Sequence, residues 1–161
     1  GLNNCLNMTD PHDGDYSSFL ESLWDKLNSQ PICRFADWPN SEVPKGQPGV
    51  YLIYHGEKWV YSGMSFRNLY SRLTQHASGR RSGDQFCVYV GDRLVMPKLG
   101  IDQMKGVFSG EYSLDNAIKE FVRSELSYRY LVVVDDPTAR ALEKYALEIA
   151  KKQGGEFLNS I

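Results

Sequence analysis

The stretch from Pro48 to Gly79 constrains the fold more than any other part of the chain, because its hydrophobic period changes from two to helical partway along. It reads PGVYLIYHGEKWVYSGMSFRNLYSRLTQHASG. Aromatic and β-branched residues alternate over Val50 to Tyr54 and again over Lys58 to Tyr61, which predicts two strands. His55-Gly56-Glu57 between them is short enough for a hairpin turn with a glycine in it. Tyr51 and Tyr61 are thus expected on neighbouring strands. Past Gly63 the spacing predicts a helix, with Phe66, Leu69, Tyr70 and Leu73 on one side and Gly79 as the stop. Arg72 and His76 stand at i and i+4, so they share a face of that helix. Two phenols, a guanidinium and an imidazole can therefore converge at one end of a small sheet.

That constellation resembles the GIY-YIG nuclease superfamily. Gly49-Val50-Tyr51 stands for the first signature triplet and Tyr61-Ser62-Gly63 for the second. Arg72 follows Tyr61 by eleven residues, His76 lies one turn on, and Glu143 and Asn159 come later in the order the superfamily requires. The resemblance spans roughly residues 49–159 and rests on order and spacing together. The run HASGRRSGDQF, His76 to Phe86, is also similar to a group of uncharacterised bacterial members. Val50 is a conservative departure from the triplet, whereas Ser62 puts a small polar residue where an apolar one is usual.

Composition sets outer limits. A chain of 161 residues fits one domain with a real core, and 42% apolar with 24% charged residues describes an ordinary globular protein. No run has the length of a membrane span or the flanks of a secretory signal, so an intracellular location is expected, cytoplasmic in a bacterium. Cys5, Cys33 and Cys87 are odd in number and lack metal-ligand spacing, which argues against a disulfide framework or a zinc site. The net charge of −2 argues against indiscriminate affinity for polyanions. Local charge points the other way. From Lys58 to Arg81 the chain carries Lys58, Arg67, Arg72, Arg80 and Arg81 and no acidic residue, so Lys58, Arg67, Arg80 and Arg81 are candidate phosphate contacts.

Residues 1–15 are expected to be a tag or disordered, with 1–7 an added scar, and 16–161 to form a single domain with a helical and loop extension over 16–48. Asp15 or Ser17 is expected to cap a helix through Asn28 carrying Phe19, Leu20, Leu23, Trp24 and Leu27 inward. Four prolines mark Gln30 to Pro48 as a loop laying Ile32, Phe35 and Trp38 over the core. Phe86 to Val90 is expected as a third strand and Tyr128 to Val134 as a fourth, the apolar run ending there being covered on both faces. Asp92 to Tyr112 reads as irregular. Ser113 should open a helix through Leu126, and Asp136 with Pro137 should open the last, ended by Gly154-Gly155. Glu143 lies one residue off that helix's apolar stripe, at its edge. The expected architecture is an α/β layered domain, a small mainly antiparallel sheet of three to four strands packed by helices; the resemblance implies a three-stranded core.

The resemblance implies a magnesium-dependent endonuclease hydrolysing DNA, with manganese as the other suitable ion. Tyr51 would act as general base or orient the water, and Tyr61 would position water or substrate. Arg72 would hold a phosphate oxygen and oppose transition-state charge. His76 would serve as a base relay or phosphate contact, Glu143 would bind the metal, and Asn159 would hydrogen-bond Tyr61 or the phosphate. A single carboxylate suffices for magnesium, which keeps waters and substrate oxygens in its shell. One reactive centre implies a monomer or weak homodimer. A noncatalytic nucleic-acid-binding module on the same fold is the alternative, and an interaction domain without nucleic acid a third reading; the full set of six site residues favours the nuclease over both.

Overall fold

The computed structural model describes residues 9–160, so the expected tag at residues 1–7 lies outside the described residues. Helix α1, Thr9–Asn28, begins ahead of Asp15 and Ser17, which therefore lie inside it and cap nothing; the boundary expected at residue 15 falls within this helix. Leu27 is its fully buried anchor, Trp24 packs on Trp59 at 5.5 Å between ring centroids, and Phe19, expected inward, is 43% exposed. In the following loop, Phe35 and Trp38 are buried as expected, and Trp38 stacks on Tyr70 at 5.1 Å. Ile32 is 48% exposed and covers nothing.

Four antiparallel strands form one open sheet in the order β1-β4-β2-β3. Strand β1, Cys33–Arg34, contributes only two residues; the long strands are β2, Gly49–His55, β3, Lys58–Ser65, and β4, Leu126–Val132. The expected hairpin is β2–β3, longer at each end than its alternation implied. Tyr51 pairs with Gly63 and Ile53 with Tyr61, so the two tyrosines are diagonal rather than opposite. The register shifts between Ile53 and Tyr54, leaving Val60 as the extra residue of a bulge. As a result Val60 and Tyr61 both belong to one face, while Trp59 turns to the other with Tyr54.

Helices cover both faces of β2, every residue of which is buried except His55. One face holds Val50, Leu52 and Tyr54 against α1 and against α6, Asp136–Gln153, whose buried residues Ala139, Leu142, Ala146 and Ala150 are mostly small and bring the helix close to the strands. Asp135, not Asp136, caps α6, accepting from the Thr138 N–H at 2.9 Å, so Pro137 is its second residue. The other face holds Tyr51, Ile53 and Tyr128 against α2, Leu69–Ser78, α3, Gln85–Val90, and α5, Leu114–Glu125. Ser113 caps α5 as expected.

Three further expectations are corrected. Phe86 to Val90 is helix α3, not a strand: Asp84 caps it by accepting from the Phe86 N–H at 3.0 Å, and Phe86, Cys87 and Val90 then point into the core at helical spacing. Asp92 to Tyr112 contains a π-helical turn over Gly91–Val95 and a helix α4, Ile101–Ser109. Strand β4 stops at Val132, and Val134 is 81% exposed rather than covered. No described helix is long and apolar enough to cross a membrane.

Candidate active site

Three elements deliver the site. Strand β2 carries Tyr51, β3 carries Tyr61 and Gly63, and α2 carries Arg72 and His76. Helix α2 starts at Leu69, later than its apolar pattern implied, because Asn68 caps it by accepting from the Ser71 N–H at 3.1 Å. Phe66 is thereby left outside, 41% exposed, with the Arg140 guanidinium 3.9 Å over its ring. Gly79 ends α2 at φ +73°, in the left-handed region that a glycine adopts without strain. Gly63 answers a different need: a Cβ there would overlap the Tyr51 hydroxyl across the strand pair.

Tyr51, His76 and Asp84 form a buried hydrogen-bonded chain. The Asp84 Oδ2 accepts from His76 Nδ1 at 2.8 Å, and Tyr51 Oη lies 2.5 Å from His76 Nε2. Burial alone would raise the Asp84 pKa, but hydrogen bonds from His76, the Cys87 thiol and the Phe86 N–H hold it below the usual carboxylate range. Asp84 is thus ionised at neutral pH. Burial pushes His76 down, against the pull of Asp84, so the imidazole is neutral. Its one proton must sit on Nδ1, facing the carboxylate, which leaves Nε2 as a lone pair and makes the Tyr51 hydroxyl the donor. Burial raises the Tyr51 pKa strongly, and the nearby Tyr61 adds to it, consistent with a protonated phenol. Tyr51 is 1% exposed and His76 also 1%.

Tyr61 stacks on Tyr51 with ring centroids 6.5 Å apart and meets Phe86 edge-on at 4.9 Å. It is only half-buried, so of the two tyrosines it is the one that reaches solvent. Burial raises its pKa as well, with Asp84 and Glu143 adding to the effect.

At the rim of this cluster stand Arg72 and Glu143, both half-buried. Neither forms an ion pair or side-chain hydrogen bond with a described residue, as the short pairs of the molecule lie elsewhere. Burial raises the Glu143 pKa above the ordinary range, opposed by Arg72 and by Arg140 one turn earlier on α6. A partly desolvated carboxylate without a hydrogen-bond or ion-pair partner among the described residues has both oxygens open to a magnesium ion, which needs only one such ligand beside waters and substrate oxygens. Among the described residues no three His, Cys, Asp or Glu side chains gather into a fuller cage.

The remaining expected residues are dispersed. Asn159 bonds to the backbone of the residue after Tyr61 rather than to the Tyr61 hydroxyl: its Oδ1 accepts from the Ser62 N–H and its Nδ2 donates to the Ser62 carbonyl, each at 2.8 Å. With the Leu158 N–H donating to the Val60 carbonyl at 2.7 Å, it closes the outer edge of β3. The Ser62 hydroxyl, at the unusual triplet position, is buried without a partner among the described residues. The four basic candidates do not form one patch. Arg67 follows β3 near the site, whereas Lys58 begins β3 at the hairpin, about 25 Å away along the strand, and pairs with Glu156. Arg80 is exposed beyond α2, and Arg81 is committed to Asp115 at 2.6 Å.

Asp84 and Arg140 are the site residues that the sequence reading passed over. The signal for Asp84 was present in Ser82-Gly83-Asp84 ahead of an apolar run, a helix-cap pattern masked by the β-propensity of that run. No protein-family model, curated protein or solved structure matches the chain.

Proposed function

We propose that the protein is a magnesium-dependent endonuclease of the GIY-YIG type that hydrolyses DNA phosphodiester bonds. The observation that carries this reading is the buried Tyr51–His76–Asp84 chain set beside a rim with one unpaired cation, Arg72, and one unpaired carboxylate, Glu143. The element order supports it too: a hairpin bearing the two tyrosines, a helix bearing Arg72 and His76, a third long strand, then the helix bearing Glu143.

A phenol with an ordinary pKa near ~10 is a poor base at neutral pH, and burial makes Tyr51 a poorer one. Coupling to His76 removes that obstacle. As a water oxygen bonds to phosphorus, its proton passes to the Tyr51 oxygen while the Tyr51 proton passes to His76 Nε2, so no free phenolate accumulates. Asp84 holds the imidazole and stabilises the imidazolium formed, the role the acid plays in a Ser-His-Asp triad. The bond to the 3′ oxygen breaks, that oxygen takes a proton from solvent, and His76 returns its extra proton through Tyr51 to solvent, leaving a 3′-hydroxyl, a 5′-phosphate and the neutral imidazole. Arg72 opposes charge on the non-bridging oxygens, and Tyr61, the solvent-facing tyrosine, orients the water. Bound at Glu143, magnesium would supply further charge neutralisation on the phosphate and the departing oxygen.

Cleavage of supercoiled plasmid, single-stranded DNA and RNA, with magnesium and with chelator, tests the reading. Cleavage of DNA that chelator abolishes and that Glu143→Ala abolishes without unfolding is expected. One centre cuts one strand per encounter, so relaxed circles should precede linear product at low enzyme concentration. Full activity in chelator would sink the metal assignment, and DNA binding without any cleavage would favour the noncatalytic module.

A further inference from the structure

A second cluster of charge lies at the other end of the β2–β3 hairpin. Here a pocket of about 340 Å³ opens between the hairpin, the π-helical turn and the C-terminal tail. Three basic side chains line it, His55, Lys58 and Arg93, over a floor that includes Val60 and Leu158. Counted along β3, Lys58 lies three residues from Tyr61, about 10 Å, and the pocket lining shares no residue with the Tyr51 cluster.

Arg93 is positioned without an acidic partner among the described residues, and Lys58 meets only an exposed one. The Arg93 guanidinium stacks over the Tyr89 ring at 5.2 Å and donates from Nη1 to the Phe157 carbonyl at 2.9 Å, which fixes its plane and leaves its other N–H groups without a partner among the described residues. His55 is held edge-on to Phe121 at 5.3 Å. Only one acid lines the pocket: Glu156, 92% exposed, touches Lys58 at 3.3 Å through one oxygen. An exposed pair of that kind is screened by water and holds only weakly. A planar fork and an ammonium around a small cavity match the geometry of a tetrahedral oxyanion far better than that of one loosely held carboxylate.

We propose that this pocket binds a phosphate group and that Glu156 occupies the Lys58 ammonium until one arrives. The proposal does not rest on the nuclease reading, since none of its residues belongs to the Tyr51 cluster or its rim. Phe157 meets Trp59 edge-on at 4.7 Å, so displacement of Glu156 from Lys58 moves a neighbour of a tryptophan and has an optical readout.

Calorimetric titration of the full chain with pyrophosphate, followed in parallel by tryptophan fluorescence, is the test. Saturable binding is expected, weakened about tenfold by Lys58→Ala and by Arg93→Ala, and largely restored by Lys58→Arg. Glu156→Gln should tighten binding about threefold, because it removes the competing charge. Lys58 is exposed enough for its variants to fold, which guards against a merely structural loss at Arg93. A short oligonucleotide without terminal phosphates separates the sources: equal sensitivity to Lys58→Ala marks the pocket as a backbone phosphodiester subsite, and sensitivity confined to pyrophosphate marks a terminal or free phosphate. No saturable binding, or binding lost with Arg72→Ala and indifferent to Lys58→Ala, overturns the proposal. An unchanged affinity in Glu156→Gln overturns the placeholder role. Plasmid cleavage by the unsubstituted chain and by Glu143→Ala reports on the nuclease reading independently.

Discussion

The Tyr51–His76–Asp84 chain and the Arg72–Glu143 rim sit side by side yet obey opposite rules. In the chain every polar atom is buried and partnered, and Asp84 alone accepts from His76, Cys87 and the Phe86 N–H that opens α3. At the rim the polar groups are half-buried and make no pair with a described residue. Buried polar groups must be satisfied or they destabilise the fold, so the chain is part of the core as well as of the proposed chemistry. Rim groups can remain unpaired because water reaches them, and an unpaired charge is what a phosphate or a cation needs. Stability and activity should therefore respond together in the chain and separately at the rim.

The largest effect is expected for Asp84→Ala. It strips the α3 cap and leaves the His76 Nδ1–H buried without an acceptor, so denaturant unfolding should show a loss of about 3 kcal/mol together with lost cleavage. Retained stability with lost cleavage would make Asp84 purely a catalytic orienter and dissolve the contrast. Arg72→Ala should show the opposite signature, turnover down about 10²- to 10³-fold with stability within about 0.5 kcal/mol of wild type. Equal losses in turnover and DNA binding would reduce Arg72 to a phosphate clamp.

Tyr51→Phe is an intermediate case. Only one hydrogen bond to His76 Nε2 is lost, so stability should fall by about 1 kcal/mol while cleavage is lost, because the relay has no oxygen to receive the water proton. Rates near wild type would show that His76 deprotonates water directly.

Acid should loosen the chain by a related route. His76 is held neutral, with its folded pKa below the unfolded value near ~6.5, so its contribution is present above that value and is lost as pH falls through the window down to the folded pKa. Asp84, also depressed, adds a loss of the same sign at still lower pH. The denaturation midpoint should accordingly fall on acidification below neutrality, and His76→Phe should flatten the upper part of that slope. A flat profile in the wild type would mean that the imidazole is charged in the fold.

The smallest change expected is a gain. Ser62 is the buried polar group without a partner among the described residues, on the apolar face beneath α6, and Ser62→Ala should stabilise by up to about 1 kcal/mol. A loss of similar size would point to a bound water bridging the hydroxyl.

How much of this was legible beforehand varies residue by residue. Tyr51, Tyr61, Arg72 and His76 were readable because strand and helix periods are local, and two such elements joined by a hairpin and a glycine leave few ways to place them. The caps at Ser113 and the glycine at Gly79 were readable for the same reason. Phe86 to Val90 was not, since a short apolar run has no period that separates strand from buried helix, and the deciding group was Asp84, whose second carboxylate oxygen is held by His76 across the fold. Asp136 was misplaced by one residue because Asp135 offers the same cap chemistry.

By itself, the sequence determined the hairpin, the helix behind it and the layered α/β architecture, since backbone period and turn chemistry act over a few residues. Tertiary structure alone decided which proton sits on His76, that Asn159 spends both side-chain groups on the backbone of Ser62, and that Lys58 faces a pocket away from Arg67. Those outcomes depend on burial and on partners far apart in the chain. Neither leaves a periodic trace, because a hydrogen bond between distant residues is chosen by geometry after the chain has packed.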